Sequence, residues 1–389
     1  MKRSEGGPQP VDEFAALAED LTAAFGGGGV DPWPDERFES FALRVFRWQF
    51  GANPVYRRFA QARGATPDTV ERWQDVPPVP ATAFKHLPLI SCDPARVERV
   101  FRTSGTTQAG QGGEHHVPSL ALYRASLLPA FRAHLLPDGA SLPFLSLIPS
   151  PDRQPHSSLS TMVGVAMDAL GAEGSGWFAE EDGRLDEDGL ERALLGAERS
   201  GRPVLLAGTA FAFVHWLDGL AARGAGAVRH RLPPGSRLFE TGGFKGRSRA
   251  VPRAELYQAL GARLGMAPEW MVNEYGMTEL LSQYYEPGLG VRAQAASLDD
   301  ALAARRLVPP PWLRFRVLDP VTLAPVPDGE RGLLCHHDLA NVGSVSVVLT
   351  EDVGVRRGDG LELLGRMPGA EPRGCSVAMD QLLSAADAG

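Results

Sequence analysis

The sequence predicts an α/β protein: a helical N-terminal part, a core in which short apolar strands alternate with helices, and a small β-rich subdomain after it. Three observations predict this. Apolar positions recur at helical spacing before residue 75, as in "VDEFAALAEDLTAAF". From about residue 100, short apolar runs such as "GRPVLLAGT" alternate with helical segments such as "GLERALLGAERS". After residue 305, the chain reads as hairpins with Pro-Asp-Gly and Gly-Asp-Gly turns.

The first helical run stops at "GGGG", and a second, "ERFESFALRVFRWQFGANP", follows "DPWP". "VPPVPATAFKHLP" is punctuated by proline and reads as extended chain. "SLPFLSLIPS" and "GRPVLLAGT" read as buried strands, with "SLALYRASLLPAFRAHLL" and "GLERALLGAERS" as the helices between them. "SRLFETGGF" and "EWMVNEYGMTE" each run from a strand into a turn rich in glycine or hydroxyls, where α/β proteins bind ligands. "LRFRVLDPVTLAPVPDGERGLLCHHD" and "SVSVVLTEDVGVRRGDGLELLGR" are the hairpins.

At 389 residues, 43% apolar and 22% charged, the chain has the composition of a globular protein with a substantial core. A net charge of −8 argues against nucleic acid as a partner, because phosphate binding needs a basic surface. Three cysteines, Cys92, Cys335 and Cys375, in no close-spaced pair give neither a disulfide framework nor a zinc site. That fits a reducing, cytoplasmic location. No basic-then-apolar leader opens the sequence, and no apolar run reaches the roughly 18 residues of a membrane span. Lysine is rare: of 39 basic residues, only Lys2, Lys85 and Lys245 are lysines. Lys85 and Lys245 therefore draw attention as chemical lysines.

Three motifs carry chemistry. "FRTSGTTQAGQGGEHHV" offers the hydroxyls of Thr103, Ser104, Thr106 and Thr107, and glycines that let backbone N–H groups approach an anion. It lacks the order of a Walker loop and reads equally as a flexible linker. "NEYGMTE", Asn273 to Glu279, sets an aromatic, a hydroxyl and a carboxylate within five residues, suited to a base, a phosphate and a divalent cation. An ordinary strand-to-helix turn would look the same. "TEDVGV" with Asp352, and Arg366 fourteen residues on, supplies acceptor and donors for ribose hydroxyls, or simply hairpin polarity.

In this order the motifs resemble those of the adenylate-forming superfamily of acyl- and aryl-CoA ligases, luciferases and peptide-synthetase adenylation domains. "TSGTT" resembles its phosphate loop, "ETGGF" its adenine-side loop, "YGMTE" its signature turn, "GERG" its late hairpin, and "TED…GR" its ribose clamp and hinge. Within it the chain is most similar to the acyl-protein synthetases of bacterial bioluminescence, the LuxE-like family. The likeness lies in "PATAFKHLPL", "ETGGFKG", "NEYGMTELLSQYY", "DLANVGSVSVVLTEDVG" and "GRMPGAEPRGCS", and covers residues 80 to 378.

The resemblance implies a large α/β N-terminal domain with a small β-subdomain and a much reduced C-terminal segment. Residues 1–80 would be the helical part, 81–365 the ATP-binding adenylation core, and 366–389 a short arm carrying Cys375. It implies ATP and Mg²⁺ as cofactors. Thr103, Ser104, Gly105, Thr106 and Thr107 would wrap the phosphates. Gly242 and Gly243 would border the adenine with Tyr275 stacking on it; Gly276 would belong to the same ATP site, and Thr278 would contact the α-phosphate. Glu279 would hold the metal, and Asp352 and Arg366 the ribose.

Cys375 falls on the family's acylated cysteine, with Arg373 two residues away to lower its pKa and a tail small and polar enough to swing. Two departures stand out. The phosphate loop lacks its usual lysine, for which Lys85 or Lys245 substitutes. Only 16 residues follow Arg373, too few for a lid domain with its own lysine, and Lys245 is the choice to supply that charge.

The expected function is ATP-dependent activation of a carboxylic acid, fatty by the resemblance, to acyl-AMP. Transfer to Cys375 and then to a partner protein such as an acyl reductase would follow. One alternative is a CoA or carrier-protein ligase with Cys375 incidental; another is a non-catalytic nucleotide-binding subunit of a reductase complex. Cys335 and the adjacent His336 and His337 read as strand packing, since neighbours in a strand point to opposite faces. His115 and His116 are expected in solvent or against the phosphate loop, and His156 near the acyl or adenylate pocket.

Overall fold

The computed structural model describes residues 10–27, 29–103, 112–224, 229–242, 251–291, 295–367 and 373–387. It divides into two compact units: Met1–Pro129 with Met277–Ser282 and Pro309–Gly389, and Ala130–Gly276 with Gln283–Val308.

The first unit opens with α1 (Pro10–Gly26), α2 (Asp35–Ala52) and α3 (Pro54–Ala62). Acidic residues Asp35 and Glu36 in its first turn complement the α2 dipole. Its Phe38, Ala42, Val45, Phe46 and Gln49 form the buried face at helical spacing. Asn53 caps α3 by accepting from the Tyr56 N–H, with Pro54 at the first helical position. The proline-punctuated stretch is extended only briefly, as β1 (Val79–Pro80), and then winds into a 3-10 turn, Ala81–Lys85, that buries Ala83 and Phe84. Burial of those two side chains is what overrides the extended preference set by the prolines.

β2 (Arg99–Arg102) and β3 (Glu114–Val117) pair antiparallel, and α4 (Leu120–Leu135) follows. The second unit then alternates β4 (Phe144–Ser146), α5 (Ser158–Leu170), β5 (Gly176–Trp177), α6 (Glu187–Ser200), β6 (Leu205–Thr209), α7 (Ala210–Ala222), β7 (Arg237–Thr241), α8 (Arg253–Leu264) and β8 (Met271–Tyr275). β9 (Tyr284–Tyr285) and α9 (Leu298–Ala303) complete it. The sheet runs β5-β4-β6-β7-β8-β9, parallel except for β9. Side chains of Ser157, Asp186 and Thr209 cap α5, α6 and α7, whereas α8, which follows β7, starts after Pro252 without a side-chain cap.

The chain then returns to the first unit as β10 (Leu313–Leu318), β11 (Arg331–Asp338), β12 (Val347–Arg357), β13 (Gly360–Arg366) and α10 (Arg373–Asp387). Both expected hairpins form, and β11 also pairs β12. β1 adds to this sheet in parallel with β12, Val79 opposite Val348 and Pro80 opposite Leu349. One apolar core joins α2, α3, β1, β11, β12 and α10.

Candidate active site

β12 organises the first unit's site. Asp352 lies directly opposite Arg366 across β12 and β13, so two residues fourteen apart in sequence become neighbours. Arg366 Nε is 3.5 Å from Asp352 Oδ1. Asp352 is largely covered, at 16% side-chain exposure, while Arg366 is 71% exposed and able to reorient. On the preceding stretch of β12, the Thr350 hydroxyl donates to the Leu334 carbonyl (3.0 Å) and accepts from the Asp352 N–H (3.1 Å), which fixes the strand where it presents its carboxylates.

Met277, Glu279, Glu351, Asp352, Arg366, Lys85 and Cys375 all line one open recess in this unit. Glu279 is held by a buried scaffold. Its carbonyl accepts from Asn341 Nδ2 (2.8 Å), whose own carbonyl accepts from Gln49 Nε2 (2.9 Å). The Leu281 and Ser282 N–H groups that follow donate to Asp338 Oδ2 at 2.8 and 2.9 Å. The Asp338 carboxyl is pushed above its usual range by burial, against those hydrogen bonds. A carboxylate such as that of Glu279 is a ligand suited to a Mg²⁺ carried on phosphates, and Asp352 with Arg366 offers an acceptor and donors of the kind a ribose diol takes.

Cys375 is 2% exposed, and its Sγ lies 4.0 Å from the Thr350 carbonyl oxygen. It sits in the first turn of α10, whose face Cys375, Ala378, Met379 and Leu382 is buried against α3, β1 and β12. The tail expected to swing is therefore a docked helix. Arg373, two residues before Cys375, is exposed where Cys375 is buried. The first turn of a helix favours a thiolate through the aligned peptide dipoles.

Thr103 and Gly113, which flank the loop expected to bind phosphates, are closely bonded. Thr103 N–H donates to the Gly113 carbonyl (2.9 Å), and Gly113 N–H donates to Thr103 Oγ1 (2.7 Å). Ser104, Gly105, Thr106 and Thr107 lie outside the described residues, as do Gly243 and Lys245. His115 on β3 is buried rather than in solvent. Its Nδ1–H donates to the Thr278 carbonyl (2.8 Å), its ring meets Phe84 edge-on, and burial lowers its pKa to about 4. Thr278 and the loop stem are thus tied together through a neutral histidine. His336 and His337 are both buried, since both faces of β11 are covered, and burial keeps them neutral.

In the second unit, Gly242 ends β7 in the left-handed region (φ 71°), a conformation that favours glycine. A Cβ on Gly276 would lie 2.5 Å from Glu274 Oε1, so a larger residue after Tyr275 would have to displace that carboxyl. Tyr275 is buried, its ring 5.6 Å from that of Tyr284. His156 is exposed in a turn of this unit.

A family model described as acyl-protein synthetase, LuxE, matches residues 150–384, a span that includes the signature turn, Asp352, Arg366 and Cys375. The chain belongs to the LuxE family of acyl-protein synthetases. It is similar to the long-chain-fatty-acid–luciferin-component ligase of Vibrio harveyi, 24% identical over 89% of this chain and 88% of the relative. The ligase of the same name from Aliivibrio fischeri is 21% identical over the same shares. Among solved structures, 2-hydroxyisobutyryl-CoA ligase in its open conformation superposes with a TM-score of 0.58 at 15% identity, covering 85% of this chain and 69% of that one. The same enzyme in a postadenylation state gives 0.59 at 14% identity over 94% and 73%. The fold is that of the adenylate-forming ligases, and this LuxE-family chain is an acid–thiol ligase that activates a carboxylic acid.

Sequence reasoning reached Glu279, Asp352, Arg366 and Cys375 through motifs. Rarity singled out Lys85 and Lys245 alike, and Lys245 lies outside the described residues. Asp338, Asn341 and Gln49 carry no local signal, because their work is done by contacts distant in sequence.

Proposed function

We propose that this chain activates a carboxylic acid with MgATP as an acyl-adenylate. Cys375 then takes the acyl group as a thioester and hands it to an acyl-accepting protein such as a reductase or a carrier. The observation that carries this reading is that the Cys375 thiol shares one recess with Asp352, Arg366 and Glu279. A nucleophile able to make a thioester thus adjoins groups suited to a nucleotide. The names of the two curated relatives support a long-chain fatty acid as the substrate.

Asp352 and Arg366 hold the ribose, and Thr278 and the Thr103–Thr107 loop bind the phosphates. Mg²⁺ on Glu279 supplies positive charge to the phosphates when bound. Asp352 orients the sugar by accepting from its hydroxyls. The buried wall around Cys375, formed by α10 and β12, limits access of water to the thioester.

Intact-mass spectrometry after incubation with MgATP and a panel of fatty and aryl acids tests the reading. Wild type gains the mass of one acyl group, labile to hydroxylamine, and Cys375→Ser does not, while both release pyrophosphate in an acid-dependent way. Acid-dependent pyrophosphate release without any adduct in wild type would instead identify a ligase that gives its adenylate to an outside thiol. No acid-dependent release in either protein would leave a nucleotide-binding subunit.

A further inference from the structure

We infer that Lys85 is a catalytic residue of the transfer to Cys375, its ammonium holding the phosphate of the adenylate that the thiol displaces. The inference rests on the reading above and assigns the charge for this step to Lys85 rather than Lys245. Lys85 lines the recess that Cys375, Glu279, Asp352 and Arg366 line. Among the described residues its side chain makes no hydrogen bond or ion pair, whereas Arg366 is paired with Asp352.

Its backbone is held against the phosphate loop. A Cβ on Gly113 would lie 3.1 Å from the Phe84 carbonyl carbon and 3.2 Å from Lys85 N, so the loop's stem runs over this turn at a distance only glycine permits without displacement. Phe84 is buried on His115, and His115 is bonded to the Thr278 carbonyl. The Lys85 turn, the phosphate-loop stem and the signature turn are therefore one packed assembly. The flexible four-carbon stem of Lys85 starts between the loop that receives phosphates and the recess that holds the thiol.

The chemistry at this place needs a cation. Cys375 loses its thiol proton to water, and the thiolate attacks the acyl carbonyl carbon. A C–S bond forms, the C–O bond to the phosphate breaks, and AMP leaves with the electron pair. Negative charge grows on the departing phosphate oxygen, where an ammonium donor stabilises the transition state more than the ground state.

Calorimetric titration of AMP and of adenosine into wild type, Lys85→Met and Lys85→Arg tests the contact without turnover. Lys85→Met weakens AMP about tenfold, leaves adenosine unchanged, and Lys85→Arg restores most of the AMP affinity. In single turnover with acid and MgATP, Lys85→Met acylates Cys375 about a hundredfold more slowly. AMP affinity equal to wild type, or an equal loss for AMP and adenosine, overturns the assignment. Failure of the underlying reading looks different: wild type itself then gains no acyl mass, and the AMP–adenosine comparison still decides the role of Lys85.

Discussion

A methyl group on Gly374 would lie 2.6 Å from Leu323 Cδ2 and 3.0 Å from the Pro320 carbonyl oxygen, which accepts from the Gly374 N–H at 2.9 Å. Leu323 is itself the chain's strained residue among those described, with φ at 58° where a leucine costs about 1–2 kcal/mol. Asp319 holds it there, accepting from the Val321 and Thr322 N–H groups and the Thr322 hydroxyl, bonds that lower its own pKa. The turn before β11 thus clamps the first turn of α10, one residue from Cys375. Gly374→Ala is expected to destabilise the protein by about 1–3 kcal/mol in urea unfolding, through overpacking. It should also slow acylation of Cys375 while leaving acid-dependent pyrophosphate release near wild type. Acylation at the wild-type rate alongside the stability loss would show that the position of this turn does not matter to the thiol.

β7 and β8 bring four polar side chains into register, Glu240 opposite Asn273 and Thr241 opposite Glu274. Asn273 Nδ2 donates to Glu240 Oε2 at 2.6 Å, and the Thr241 hydroxyl donates to Glu274. Burial raises the Glu240 carboxyl to about 7 and the Glu274 carboxyl to about 8. Both are acids raised above their unfolded values, so the folded state holds more protons than the unfolded state from about pH 4.5 upward. Stability from this pair is full below that range and is lost as pH rises through 7 and 8. The thermal midpoint of wild type is expected to fall across pH 6 to 9, and Glu274→Gln, which keeps an acceptor for Thr241, should flatten that fall. Parallel profiles for the two proteins would count against a neutral Glu274. The strands themselves were legible because buried apolar runs lie between capped turns, and the hairpins because Asp-Gly turns punctuate alternating residues. β1 was not, since two residues joining a sheet built more than 260 residues later leave no periodicity to read.

At the scale of the chain, the candidate site is assembled from pieces whose chemistry was visible singly. Asp352 and Arg366 could be paired from sequence because a hairpin joins them, whereas Lys85 and Cys375 stand 290 residues apart and meet only through the β1–β12 pairing and the docking of α10. The same docking bears on how the thiol works. Cys375 is buried and yet lines the recess, so in the proposed reaction the acyl group reaches it with α10 in place. Leu382, fully buried about two turns along α10 from Cys375, is the lever for testing this. Leu382→Ala removes part of the docking face at a cost of about 2–5 kcal/mol and raises the population in which the helix has opened. Iodoacetamide labelling of Cys375, followed by mass spectrometry, should quicken at least tenfold, while single-turnover acylation with acid and MgATP slows. If acylation quickened in step with labelling, the thiol would have to leave its docked position to react, and α10 would be a gate rather than a wall of the site.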